Sequence, residues 1–124
     1  LFIPGEAGEP VQDLLPGIRP IAAYGHTPGH TAYLLESDEY QFLIWGDLMH
    51  VTSVQVPYPQ IAVTYDIDPA QAIEYHQQLL KYISENGIRV AGMHIEYPGM
   101  LDIKGNASKG YSFILLCTCE GKLR

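Results

Sequence analysis

Three polar residues in this sequence stand where chemistry is commonly placed. His30 lies in Thr27-Pro28-Gly29-His30-Thr31, Asp47 in Trp45-Gly46-Asp47 and His94 in Gly92-Met93-His94. Each follows a strand-like run or sits in a tight turn, and a layered α/β fold carries its site residues on such loops. Imidazole nitrogen and carboxylate oxygen are the donors that Zn²⁺ and similar ions take. The three are far apart along the chain, so they make a metal cluster only if the fold gathers their loops. Taken singly, each reads as a loop histidine or a turn aspartate. His26 precedes His30 by four positions, but Pro28-Gly29 between them forbids a helical turn. The two therefore need not point at one ion, and His26 reads as a hydrogen-bonding residue that shapes the turn. His50, three residues after Asp47, reads as an outer residue holding the carboxylate or touching substrate, or as a solvated loop histidine.

Other chemistries find less support. Ser53, Ser84, Ser108 and Ser112 lie in no nucleophile-elbow context. Gly105-Asn106-Ala107-Ser108-Lys109-Gly110 lacks the spacing of a phosphate-cradling loop. The net charge is −7, and the 7 basic residues never cluster, which speaks against a nucleic-acid partner. No apolar run approaches the ~20 residues that span a bilayer. The chain starts at Leu1 without a basic, apolar leader, so its natural N-terminus is expected upstream and the compartment stays open. Cys117 and Cys119 read as reduced, structural residues, with a Cys-x-Cys metal site as the weaker alternative.

The 124-residue chain suffices for one small domain to position these residues. Residues 1–19, rich in proline and glycine, read as an irregular segment. Residues 20–24, 31–37 and 40–45 have strand content, with a turn at 26–29 and a hairpin turn at 37–39. Residues 51–66 form a long connection, and 102–110 a polar loop. A helix is expected over 69–85: Asp68 is a natural N-cap, Pro69 suits the first turn and Asn86-Gly87 the stop. Ile73, His76, Leu79, Leu80 and Ile83 give its apolar stripe, with His76 as a packed histidine. Short strands follow at 88–93 and 111–116. Strands, one helix, then strands predict an α/β layered domain.

Together these segments resemble one family. Tyr24-Gly25-His26-Thr27-Pro28-Gly29-His30-Thr31 is similar to the third motif of metallo-β-lactamase-fold hydrolases, and Trp45-Gly46-Asp47-Leu48-Met49-His50 to the fourth. Ala91-Gly92-Met93-His94 is similar to the fifth. The stretch from Trp45 to Asp66, with His94-x-x-Tyr97-Pro98-Gly99, most resembles the methyl parathion hydrolase-like branch. The resemblance implies that residues 20–124 are the C-terminal half of an αββα sandwich: one sheet with a covering helix, paired with a partner half. It implies two zinc ions, with His30 on one, Asp47 bridging both and catalytic, and His94 on the other. His26, His50, Tyr58, Tyr65 and Tyr97 fall to an outer or substrate-contacting role. The family's H-x-H-x-D-H motif is missing from this chain, which leaves three of the usual seven ligand positions. Two protein ligands per ion is below the three of a catalytic zinc site.

The implied activity is metal-dependent hydrolysis of an ester, lactone or organophosphate, with the isolated chain inactive. The competing expectation is a non-catalytic fragment serving as a structural or association module. Either way, a half sandwich leaves an apolar sheet face that a missing N-terminal half or a second copy would cover.

Overall fold

The computed structural model describes residues 4–9 and 12–116. Cys117 and Cys119 lie outside the described residues. Six strands form one sheet in sequence order: β1 (Ile18–Ala22), β2 (Thr31–Ser37), β3 (Tyr40–Ile44), β4 (Arg89–Ala91), β5 (Met100–Asn106) and β6 (Gly110–Leu115). All neighbours run antiparallel except β3 and β4, which are parallel because a helix crosses between them. The tight turn into β3 is made by Asp38 at φ 53°, a left-handed conformation that aspartate tolerates.

The crossover helix is α2 (Pro69–Asn86), preceded by the single turn α1 (Thr52–Gln55). Asp68 Oδ1 accepts a bond from the Gln71 amide at 3.1 Å, and Gly87 closes the helix at φ 60°. Between these caps the buried face is Ala72, Tyr75, His76, Leu79, Leu80 and Ile83. The stripe is thus rotated from the expected one: Tyr75 turns inward and Ile73 stays at its margin. Against it the sheet sets Ile21, Ala32, Leu34, Leu43, Trp45, Val90, Leu101 and Ile103, all buried. Each fully buried aliphatic side chain contributes about 1.5–3 kcal/mol of transfer free energy. Among the described residues no helix is long and apolar enough to cross a membrane.

The α/β expectation of a sheet with one covering helix holds. Two local expectations do not. The polar loop expected at 102–110 is mostly strand, since β5 runs to Asn106 and only the turn to Gly110 remains. Leu101 and Ile103 pointing inward, between half-buried Asp102 and exposed Lys104, supply the alternation that its glycine and lysine content hides. The connection at 51–66 contains α1, whose Val56 amide bonds the Thr52 carbonyl.

Among the described residues no helix covers the far face of the sheet. Register places Tyr33 beside Ile44, Leu35 beside Phe42, Ala91 beside Met100, and Asp102 beside Ile114. Ile44 and Ile114 are exposed on it, and Tyr33, Leu35, Phe42 and Met100 are half-buried. Arg89 pairs with Asp102 through Nε and Nη2 at 3.1 and 3.2 Å on the same face.

Candidate metal centre

The loops after β1, β3 and β4 converge at one end of the sheet. The Trp45 amide bonds the Ala91 carbonyl at 2.9 Å and the Met93 amide bonds the Gly46 carbonyl at 3.2 Å. These bonds carry β3–β4 pairing past the strand ends and bring Asp47 and His94 together. His94 Nε2 lies 3.4 Å from Asp47 Oδ1. From the other side His26 Nε2 lies 3.2 Å from Asp47 Oδ2. The carboxylate is therefore bracketed by two imidazole nitrogens.

His30 has a different place from the one its motif position suggests. Its Nδ1 is 2.9 Å from the Ala23 carbonyl and its Nε2 accepts the Asp47 amide at 2.9 Å. The first bond puts the ring proton on Nδ1, so both nitrogens are taken by backbone. Burial lowers the His30 pKa, an effect the Ala23 bond partly offsets. His30 is thus a strut beneath the turn that carries Asp47, and His26 takes the position facing the carboxylate. The reason is local: the Thr27 carbonyl accepts from both the Gly25 and His30 amides, folding the turn so that the two rings diverge. Their planes stand at 89°. Gly46 makes room for the strut. It sits at φ 59°, and a Cβ there would lie 2.8 Å from His30 Nε2.

His26 is oriented by Asp66, at the end of the connection that follows β3. His26 Nδ1 lies 3.0 Å from Asp66 Oδ1, and Asp66 Oδ2 accepts the Val63 amide at 3.2 Å. A carboxylate on one imidazole nitrogen leaves the other free to face a cation, the usual outer support of a metal-binding histidine. The turn itself is pinned to the entrance of α2 by Ile67 and Asp68 amides bonding the His26 and Gly25 carbonyls.

His50 completes the group. Its ring centroid is 4.7 Å from that of His26, 4.6 Å from that of His94 and 5.0 Å from that of Tyr65. Burial, and then the neighbouring His26 and His94, lower its pKa. The backbone here is held by buried Gln55, whose Oε1 accepts the His50 and Val51 amides at 2.6 and 2.9 Å while its Nε2 donates to the Ile61 carbonyl. No pattern in the sequence marks Gln55 or Asp66 for these tasks. Of the three tyrosines, Tyr65 stacks edge-on against His50 and His26. Tyr58 and Tyr97 are exposed.

Among the described residues two sets of donors each lie within 4.8 Å of one another: His26, His50 and Asp66, and Asp47, His50 and His94. Two ligands at about 2.0–2.1 Å from a tetrahedral ion stand about 3.3 Å apart. The 3.2 and 3.4 Å separations about Asp47 fit that spacing.

No protein-family model and no curated protein matches the chain. Solved structures do. A hydrolase of the beta lactamase superfamily, AbOPH, is 32% identical at a TM-score of 0.77, over 90% of this chain and 37% of that one. AidC, a dizinc quorum-quenching lactonase solved with a homoserine product, is 25% identical at a TM-score of 0.79, over 86% and 36%. A probable metal-dependent hydrolase from Staphylococcus aureus is 23% identical at 0.68, over 86% and 38%. The chain spans just over a third of the length of these structures. The six-stranded sheet with its single covering helix is thus part of the metallo-β-lactamase fold.

Proposed function

We propose that this chain is the C-terminal, metal-holding part of a metal-dependent hydrolase, with residues 20–124 corresponding to that half. The observation that carries the reading is the Asp47 carboxylate set between His26 Nε2 at 3.2 Å and His94 Nε2 at 3.4 Å. His26, Asp47 and His94 would hold the metal, with Asp47 shared between two half-sites, and His30 supports Asp47 from below.

Zinc suits this nitrogen and oxygen donor set and, when bound, lowers the pKa of water from ~15.7 towards about 7. The chain's own residues prepare for that chemistry. Asp66 keeps the His26 Nε2 lone pair aimed at the cluster, and the His30 bond fixes the Asp47 backbone. Tyr58, Tyr65 and Tyr97 would wall the substrate, together with exposed Ile61, Ile67 and Met93. An aromatic and aliphatic rim around a polar centre suits an ester, lactone or organophosphate. The branch we propose is the methyl parathion hydrolase-like one, on the motif resemblance alone. The remaining ligands would come from a partner half lying on the open sheet face of Tyr33, Phe42, Ile44 and Ile114.

That apolar face also favours a second reading, an association module without turnover. Metal analysis and hydrolysis assays separate the two. The chain and its Asp47→Ala variant are equilibrated with Zn²⁺, dialysed and analysed. They are then assayed on an aryl ester, an acyl-homoserine lactone and a phosphotriester, with and without an H-x-H-x-D-H half added in trans. Metal retained only with Asp47 present, and turnover that needs the added half, are expected. Equal metal in both proteins would sink the hydrolase reading.

A further inference from the structure

His50 is the residue of the cluster that the proposed ligand set leaves unused. Both of its ring nitrogens are buried, and neither has a hydrogen-bond partner. A buried imidazole with two unsatisfied nitrogens is unfavourable unless something else binds there. The ring lies between those of His26 and His94, with the Asp47 carboxylate within 4.8 Å of a ring nitrogen. Gln55 holds the His50 backbone by a 2.6 Å bond, which sets where the ring can reach.

We infer that His50 is a metal ligand, and that with Asp47 and His94 it gives this chain a three-ligand site for one divalent cation of its own. The inference rests on the hydrolase reading above for Asp47 and His94 and adds the third ligand. Between the two donor sets, chemistry favours this one. Asp66 has both oxygens engaged, by the His26 ring and the Val63 amide, whereas Asp47 has both oxygens turned into the cluster. The donor atoms of Asp47, His50 and His94 lie within 4.8 Å of one another, so movements of about 1 Å bring them onto one ion. Two histidines and a carboxylate leave further coordination positions open for water or substrate. A site of this composition needs no residue from outside the chain.

The test is a Zn²⁺ titration of the metal-free chain by calorimetry, with the Co²⁺ absorption spectrum as a second readout. The wild-type chain is expected to take up one equivalent. His50→Ala should bind at least about 10–100-fold more weakly, the loss that even an outer partner of a ligand causes. His50→Cys should bind Co²⁺ and gain a thiolate-to-cobalt charge-transfer band over the wild type. Metal-free melting temperatures of the variants control for folding. Wild-type affinity in His50→Ala, or Co²⁺ bound by His50→Cys without the new band, would overturn the assignment. If Asp47→Ala abolishes binding while His50→Ala does not, only the third ligand fails. If Asp47→Ala binds as well as wild type, the hydrolase reading fails with it.

Discussion

His26 Nδ1 and Asp66 Oδ1 meet at 3.0 Å across 40 residues of chain, joining the turn after β1 to the segment that enters α2. The pair fixes which nitrogen of His26 faces Asp47. Asp66→Asn should weaken metal binding on the His26 side by about 10–100-fold and leave the His94 side unchanged. A two-site analysis of a Zn²⁺ titration with the H-x-H-x-D-H half added in trans reads both, and equal loss at the two sites would count against the pairing.

His30 is expected to matter for folding rather than for donating to metal. His30→Ala removes a buried ring and leaves the Ala23 carbonyl and the Asp47 amide without their partner. The loss should be about 2–4 kcal/mol in chemical denaturation. A midpoint equal to wild type would show that the strut is dispensable.

Gly46→Ala tests the same strut from the other side. The backbone there is left-handed at φ 59°, and the added Cβ would press on His30 Nε2, a ring held at both nitrogens. A loss of about 1–3 kcal/mol is expected from strain and displacement together. Thermal melts of the metal-free proteins measure it.

His76 should make stability fall in mild acid. It is fully buried on α2, with Nδ1 3.0 Å from the Pro59 carbonyl. Burial lowers its folded pKa below 6.5, and the backbone of Pro59 and Leu48 only partly offsets this. The unfolded chain therefore takes up the proton first. The neutral ring's contribution is complete above about pH 6.5 and is lost as pH falls below it, levelling off under the folded pKa. Denaturation at a series of pH values should show a slope that His76→Leu reduces by up to about 1.4 kcal/mol per pH unit. An unchanged slope would remove His76 as its source.

The open sheet face should make the chain associate. Ile44→Lys with Ile114→Glu places charges at two exposed positions of that face. Sedimentation velocity is expected to show self-association in the wild type and a shift towards monomer in the double variant. A wild-type chain that stays monomeric at high concentration would leave the face without a partner of its own kind.

What the sequence alone determined is local. Asp68, Pro69 and Gly87 delimit α2 because caps act on the nearest turn of backbone. The runs at 31–37 and 40–44 became β2 and β3 because apolar alternation needs no knowledge of distant partners. Strand ends likewise marked Asp47 and His94 as loop residues with room to meet. Tertiary structure decided the rest, because each remaining choice depends on a group far along the chain. Whether His26 or His30 faces the carboxylate turned on the Thr27 carbonyl folding the turn, on Asp66 reaching one ring, and on the Asp47 amide reaching the other. The face of α2 that went inward was set by the sheet it met, which drew in Tyr75 in preference to Ile73. The unpartnered nitrogens of His50 exist only because three loops close around them, and spacing along a chain carries no signal of such an enclosure.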